Sequence, residues 1–442
     1  MKGLVNISAK QTDDRTVMMD ANCSGGKTSQ LKNLILISDS AIVDGGAAKV
    51  ALQTAKIMNT CDINVTFFSG GQEFDKSYFS DADMDVCLFK KCSLRSGDRS
   101  LGNALKGIWD RDVYRVLRKL LAGFNASDTL VHVHSWASVL SPSIFGAICD
   151  SGLSCVITAH DYCMACPNCC FFDFQKGEIC CCKGASTACL IRNCDKDSVA
   201  VKAFRLLRFA RQSRVLQKLK PHIVCVSEYQ RTRLDNVLPF SHTCSVVMNP
   251  VEIANSCSNA KKSLSKEDMP FLYVGRISEE KGCDLFCEAC TRLGVNGIVV
   301  GGGAIEGELR ERYPLLDFRG WLKSEDVAEV FFEARALVFP SRWYEALPLT
   351  PLEAQLSACL PCIVSDSSAA ADFAENGKLG AIFKSGDVES LVSAMSKMMD
   401  DARCERMCAE IKSRHIANTN LYSIERYMSN MLEVYAQLMK DS

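Results

Sequence analysis

Short apolar runs recur along the chain, and stretches of helical period separate them. In the first half the runs are Asn33-Leu-Ile-Leu-Ile-Ser38, Ile63-Asn-Val-Thr-Phe-Phe-Ser69, Leu130-Val-His-Val-His134, Cys155-Val-Ile-Thr-Ala-His160 and Ile223-Val-Cys-Val-Ser227. In the second half they are Phe271-Leu-Tyr-Val274, Gly297-Ile-Val-Val300, Ala336-Leu-Val-Phe339 and a shorter one within 316–322. Runs that are apolar on successive positions predict strands covered on both faces, as in a parallel sheet lined by helices. Strand and helix alternating through both halves predict an α/β chain of two doubly wound, Rossmann-like domains. The expected divisions are a disordered N-terminal segment over 1–30, a first domain over 31–250, a second over 251–420 and a last segment over 421–442. The polar stretch 256–268 reads as the linker, and 424–439 as an amphipathic helix.

Composition narrows the function classes. With 51 Lys and Arg against 52 Asp and Glu in 442 residues, the net charge is -1, and no global field favours nucleic acid. There is no run of apolar residues long enough to span a bilayer and no signal-peptide core, which predicts a soluble or peripheral cytoplasmic protein. The 25 cysteines, in a chain with no export signal, predict reduced thiols rather than a disulfide framework.

The candidate chemistry lies at strand ends. After Ala336–Phe339, Pro340-Ser341 ends the strand, Glu345 falls on the following loop, and Thr350-Pro351 reads as the cap and first residue of a helix that carries Glu353. Unsatisfied N–H groups of that helix start, flanked by two carboxylates able to hold hydroxyls, describe a site for a diphosphate carrying sugars. Gly275-Arg276 follows the strand 271–274 and Lys281 lies on the same loop, so two cations stand at the carboxyl end of a strand, where open α/β sheets bind ligands. Gly301 to Gly303 form another strand-end turn, with Gly302 at its centre. Their spacing is not that of a dinucleotide fingerprint. In the first half, Gly45-Gly46 opens a helix after the first strand, where backbone can approach a bound group closely. His132 and His134 alternate on one strand face; His134, at the carboxyl end, is the candidate for handling an acceptor proton near neutral pH, and His132, one pleat deeper, reads as a core histidine.

In this order the motifs of Phe271 to Gly386 resemble the donor-binding half of retaining GT-B glycosyltransferases of family 4, whose signature is two Glu residues separated by seven others. The resemblance implies the GT-B fold, two Rossmann-like domains facing a central cleft, with the final helix crossing back to the first domain. It implies that Glu345 contacts the donor sugar and Glu353 the ribose, that Arg276 and Lys281 stabilise the departing diphosphate, and that Gly45 and Gly46 lie across the cleft. Gly275, Gly302, Leu347 and Leu349 would line the nucleotide side, and His134 would face the transferred sugar or acceptor. A nucleotide-diphosphate sugar is then the donor, the acceptor a glycan or lipid-linked hydroxyl, and no catalytic metal is needed. No Asp-x-Asp motif sits where a donor diphosphate would need one. Leu347-Pro348 and Cys359 depart from the pattern at positions that usually hold glycine. Two other readings stay open, a non-catalytic nucleotide-sugar-binding protein and a small-solute synthase or phosphorylase of the same fold.

Two segments stand outside that frame. Nine cysteines crowd 163–194, and Cys166, Cys169, Cys189 and Cys194 have the spacing for a structural zinc; the alternative is a chain rich in buried thiols throughout. From 201 to 220 the helical pattern carries basic residues and no acid, either a helix docking on an anionic membrane surface at the inner face of the cell or a plain solvated helix.

Overall fold

A computed structural model describes residues 4–8, 31–79, 84–91, 101–251, 253, 269–414 and 419–441. Two parallel sheets organise them. The first contains β1 (Leu4–Ser8), β2 (Asn33–Ser38), β3 (Asn64–Ser69), β4 (Asp85–Phe89), β5 (Thr129–Val133), β6 (Ser154–Ala159), β9 (His222–Cys225) and β10 (Thr243–Val246), in the order β1-β4-β3-β2-β5-β6-β9-β10. A small antiparallel pair, β7 (Phe172–Asp173) and β8 (Glu178–Ile179), lies in the cysteine-rich insertion. The second sheet contains β11 (Phe271–Val274), β12 (Gly297–Val300), β13 (Asp317–Gly320), β14 (Ala336–Phe339), β15 (Cys362–Ser365) and β16 (Gly380–Phe383), in the order β13-β12-β11-β14-β15-β16. Strand order therefore reverses between β2 and β5 in one sheet and between β11 and β14 in the other. Such reversals open a crevice at the carboxyl ends of the strands, where ligands bind.

The apolar runs form strands where expected because both faces of each sheet are covered. Leu34, Ile35, Leu36 and Ile37 are wholly buried although they point alternately to opposite sides. One face packs under helix α1 (Gly46–Asn59) and, at the chain end, helix α6 (Ile424–Asp441). Tyr427 and Tyr435 of α6 reach into the first domain, where the Tyr427 hydroxyl lies 2.7 Å from that of Thr54 and the Tyr435 hydroxyl 2.7 Å from His132 Nδ1.

Two expectations need correction. Residues 4–8, inside the segment expected to be disordered, form a strand antiparallel to β4. Leu-Val-Asn-Ile-Ser has β-branched Val5 and Ile7, and the otherwise open β4 edge offers it a ladder. The rest of 1–30 and all of 256–268 lie outside the described residues. The helix bearing Glu353, α5, spans Leu349–Ala358 and so begins before Thr350. Pro351 is tolerated because it still falls in the first turn, whose N–H groups have no partner within the helix. Cys359, which ends α5 where glycine is usual, adopts the left-handed conformation at φ 51°.

In the helix α2 (Val199–Leu219), four of the seven basic side chains of 201–220 have partners in the same domain. Lys202, Arg205, Arg208 and Arg211 recur every third residue, so they turn progressively around the helix, and each is engaged within the protein. Lys202 is buried among cysteines, Arg205 pairs with Asp195 at 3.3 Å, Arg208 donates to the Ala137 carbonyl at 2.7 Å, and Arg211 stacks 4.4 Å from the Trp109 ring. These four contacts tie the helix to its own domain. No described helix is long and apolar enough to cross a membrane.

Candidate active site at the domain cleft

The second domain builds its site on the two loops flanking its strand reversal. The loop after β11 supplies Arg276 and Lys281, and the loop after β14 supplies Ser341, Trp343 and Glu345. Lys281 Nζ lies 2.5 Å from Glu345 Oε1, and the same oxygen accepts from Ser341 Oγ at 2.7 Å and Trp343 Nε1 at 2.6 Å. Burial alone would raise the Glu345 carboxyl, but the Lys281 charge and these three donors outweigh it and hold the group below the ordinary glutamate range. It is a fixed anion with an attached cation. Arg276 is half exposed, pairs with the buried Glu280 at 3.4 Å and stands 5.9 Å from the Trp343 ring, so Trp343 joins it to the Lys281–Glu345 pair.

The glycines have distinct roles. A Cβ on Gly301 would stand 1.9 Å from the Gly275 carbonyl oxygen, and one on Gly303 2.0 Å from that of Ile277. The two glycines therefore let the β12 turn press against the cation-bearing loop. Gly302 between them accepts from the Ile277 N–H at 3.0 Å. Gly45 and Gly46 sit at the N-terminus of α1, and a Cβ on Gly46 would meet the Leu349 side chain at 3.7 Å. The starts of α1 and α5 thus face each other across the cleft, and Lys49 of α1 reaches Glu353 of α5 at 3.9 Å. A further clasp joins the domains where Ser227 Oγ donates to the Ala346 carbonyl at 2.5 Å. Leu347 and Leu349 pack in an apolar cluster with Val251 and Leu352 beside that junction.

The cleft itself has a volume of about 810 Å³ and is lined by Asp44, Gly45, Gly46, His134 and His160 from the first domain and Arg276 from the second. Lys281, Glu345 and Glu353 are not among its lining residues. His134 Nδ1 is 2.9 Å from His160 Nε2 with the rings stacked, and the buried His134 Nε2 has no protein partner. His132 is held by the Tyr435 and Thr158 hydroxyls, as a core histidine should be. One expectation is corrected here: His134 does not titrate near neutrality. Burial, then the neighbouring His132 and His160, push it well below the usual histidine range and hold the ring neutral. Its unpartnered nitrogen can give or take a hydrogen bond but not carry a resident charge.

These histidines predict a pH dependence of stability. Burial lowers His132 to about 3 and His160 to about 4, and His134 shifts the same way. Above about pH 6.5 folded and unfolded forms are both neutral, so the stability is fully present. Below it the unfolded chain binds protons the folded one refuses, so stability falls as pH falls, by about 1.4 kcal/mol per unit for each histidine. Denaturant unfolding between pH 7.5 and 5 checks this, and a His132→Asn variant is expected to show a shallower slope.

Sequence reasoning missed Asp39, Ser341, Trp343 and Lys49. Asp39 follows β2, and its buried carboxylate accepts N–H groups from Ser138, Val139 and Leu140 at 2.7, 2.9 and 2.8 Å, shaping the cleft wall after β5. Its position at a strand end was a usable signal. The other three are legible only once the loops meet.

The expected zinc set does not assemble. Cys169 is joined to Cys163 by a disulfide, which also corrects the expectation of reduced thiols at these two positions. Among the described residues no three His, Cys, Asp or Glu side chains stand as a ready metal-holding group.

Residues 258–415 match the family model described as "Glycosyl transferases group 1". Among curated proteins, the chain is 25% identical over 190 residues to the Escherichia coli UDP-Gal:alpha-D-GlcNAc-diphosphoundecaprenol alpha-1,3-galactosyltransferase, covering 40% of this chain and 47% of that protein. It is 34% identical over 132 residues to the glycogen synthase of Xanthomonas axonopodis pv. citri, 27% of each chain. The matched stretch spans about half the length, or less, of these relatives. Among solved structures, the sucrose-phosphate synthase of Thermosynechococcus elongatus superposes with a TM-score of 0.65 at 16% identity, covering 93% of this chain and 100% of that one. The Anabaena protein HepE in complex with UDP gives 0.63 at 13% identity over 92% of this chain and 100% of that one. Strand order, cleft and the solved structures agree that the chain has the GT-B fold, and residues 258–415 are similar to the Glycosyl transferases group 1 family.

Proposed function

We propose that this protein is a retaining glycosyltransferase that moves a hexosyl group from a nucleotide-diphosphate sugar to an acceptor hydroxyl, in the assembly of a cell-surface polysaccharide or lipid-linked glycan. The observation that carries the reading is the Lys281–Glu345 pair, tied through Trp343 to Arg276, which faces Gly45, Gly46 and His134 of the other domain. The curated relative that acts on a diphosphoundecaprenol-linked acceptor supports the acceptor class.

In this reading the donor diphosphate lies between the starts of α1 and α5, whose N–H groups face negative charge. Glu353 holds the ribose hydroxyls, displacing its contact with Lys49, and Glu345 holds a sugar hydroxyl. Gly275, Gly302, Leu347 and Leu349 shape the nucleotide side. As the bond from the anomeric carbon to the diphosphate oxygen breaks, Arg276 and Lys281 stabilise the growing charge. The acceptor oxygen bonds to the same face of that carbon, and its proton passes to the departing phosphate oxygen. His134, neutral, orients a hydroxyl near the reacting carbon through its free nitrogen. Fixed cations do the work that a divalent ion does elsewhere.

A panel of UDP-, GDP-, ADP- and dTDP-sugars tests the proposal by thermal shift, because a ligand bound only by the folded state raises the melting temperature. One nucleotide class is expected to shift it, and NMR of the product should show the donor's anomeric configuration kept. If no nucleotide sugar shifts the melting temperature and none is consumed with or without added acceptors, the proposal fails.

A further inference from the structure

The peptide that carries Glu345 is held by the first domain as well as by its own. Within the second domain the Glu345 carboxylate takes Lys281, Ser341 and Trp343, and its carbonyl accepts from the Ala369 N–H at 3.1 Å. Its two chain neighbours turn the other way. The Ala346 carbonyl accepts from Ser227 Oγ, and the Tyr344 side chain packs on the buried core of the first domain.

Four first-domain side chains wall the Tyr344 ring. Tyr162 and Phe171, from the segment after β6, meet it edge-on with ring centroids at 6.2 and 6.3 Å. Tyr229, on the helix Glu228–Leu234 after β9, does the same at 6.3 Å, and Arg233 one turn later lays its guanidinium 4.6 Å from the ring centroid. The walls brace one another. Arg233 stands 3.3 Å from the Tyr229 ring and donates to the Tyr229 carbonyl at 3.1 Å, and the Tyr162 and Phe171 rings meet edge-on at 5.3 Å. The Tyr229 hydroxyl reaches back across the junction to donate to the Ser367 carbonyl, on the loop after β15. Edge-to-face rings and a guanidinium over a ring face are directional contacts, so they fix where the ring sits and not only that it is buried.

We propose that Tyr344 is a positioning residue: seated in a socket of Tyr162, Phe171, Tyr229 and Arg233, it lets the first domain hold Glu345 in register beside the cleft. The role of Glu345 rests on the glycosyltransferase reading, whereas the contact does not. Tyr344 acts through its neighbour. Lys281 fixes the Glu345 carboxylate from the second domain, and Tyr344 and Ala346 fix its backbone from the first, so losing the ring frees the loop on the side that Lys281 does not hold. A displacement of about 1 Å in a positioned group costs about 100-fold in rate.

Hydrogen exchange and kinetics of full-length Tyr344→Ala, Tyr344→Phe and Arg233→Leu test this. Arg233→Leu strips a wall of the socket in the other domain and leaves the sequence of the donor loop intact. Amide exchange across 341–346 is expected to accelerate in Tyr344→Ala and in Arg233→Leu, and to keep the wild-type rate in Tyr344→Phe, which retains the ring. Turnover is expected to fall by about 10- to 100-fold in the first two, in kcat rather than KM. Affinity for the matching bare diphosphate, UDP, GDP, ADP or dTDP, should stay unaltered, because Arg276 and Glu353 are untouched. The double variant Tyr344→Ala with Arg233→Leu should be no worse than the poorer single one, since both changes break one contact. Should Tyr344→Ala fail to fold, Arg233→Leu carries the same readouts. Unchanged exchange across 341–346 in Arg233→Leu overturns the proposal, as do a wild-type kcat in folded Tyr344→Ala or rate losses that multiply in the double variant. A wild-type protein that transfers no sugar sinks the glycosyltransferase reading instead, and the exchange result still decides the contact.

Discussion

Lys281→Met is expected to lower stability by about 3–5 kcal/mol and sugar transfer by about 100-fold or more. The stability loss follows from what stays behind. Glu345 is enclosed and ionised, and without Lys281 its charge keeps only the neutral donors Ser341 and Trp343. Glu345→Gln has a different signature: the amide oxygen still accepts from Ser341 and Trp343, so stability falls by about 1–2 kcal/mol, while transfer falls as far as in Lys281→Met. The double change Lys281→Met with Glu345→Leu removes both charges from the site. It should recover much of the stability, because replacing both partners of a buried pair by apolar groups is often neutral, and it should recover none of the activity. Urea unfolding and steady-state assays of the three proteins separate the roles. A Glu345→Gln enzyme with full turnover would remove Glu345 from the reaction.

Arg276→Met is expected to reduce kcat by about 100- to 1000-fold while stability changes by no more than about 1 kcal/mol. Its side chain is 51% exposed, so little packing is lost, and its contact with Glu280 is long for an ion pair. The split between kcat and KM carries the diagnosis. A residue that stabilises the charge arising as the diphosphate departs lowers kcat, whereas one that only binds the ground-state phosphate raises KM. Arg276→Lys should fall between, since an ammonium keeps the charge but not the planar fork of donors. An unchanged kcat with a raised KM would assign Arg276 to binding alone.

The parts of this protein written into the sequence are those whose physics is local. A parallel strand buried on both faces needs an unbroken apolar run, and the runs at 33–38, 271–274, 297–300 and 336–339 became β2, β11, β12 and β14. Residues that follow such strands in a doubly wound sheet must reach the carboxyl-end crevice, so Arg276 and Glu345 were readable as site candidates before any contact was known. Edge strands were less legible. β1 lies in a polar segment, and β10, Thr-Cys-Ser-Val, is partly exposed, so neither has the apolar continuity that marks the interior.

What only tertiary structure decided were the pairings between distant residues. Nothing in a one-dimensional pattern says that Lys281 meets Glu345, that Gly46 faces Leu349, or that Lys202 turns inward to Cys194 rather than out to lipid. The protonation of His134 was undecided for the same reason, because its burial and its stacking on His160 depend on a strand 26 residues away. Periodicity dictates which elements form, since it reflects which faces must leave water. Which side chains then share a charge, a proton or a metal depends on how those elements are brought together, and that geometry is set by the packing of the whole chain.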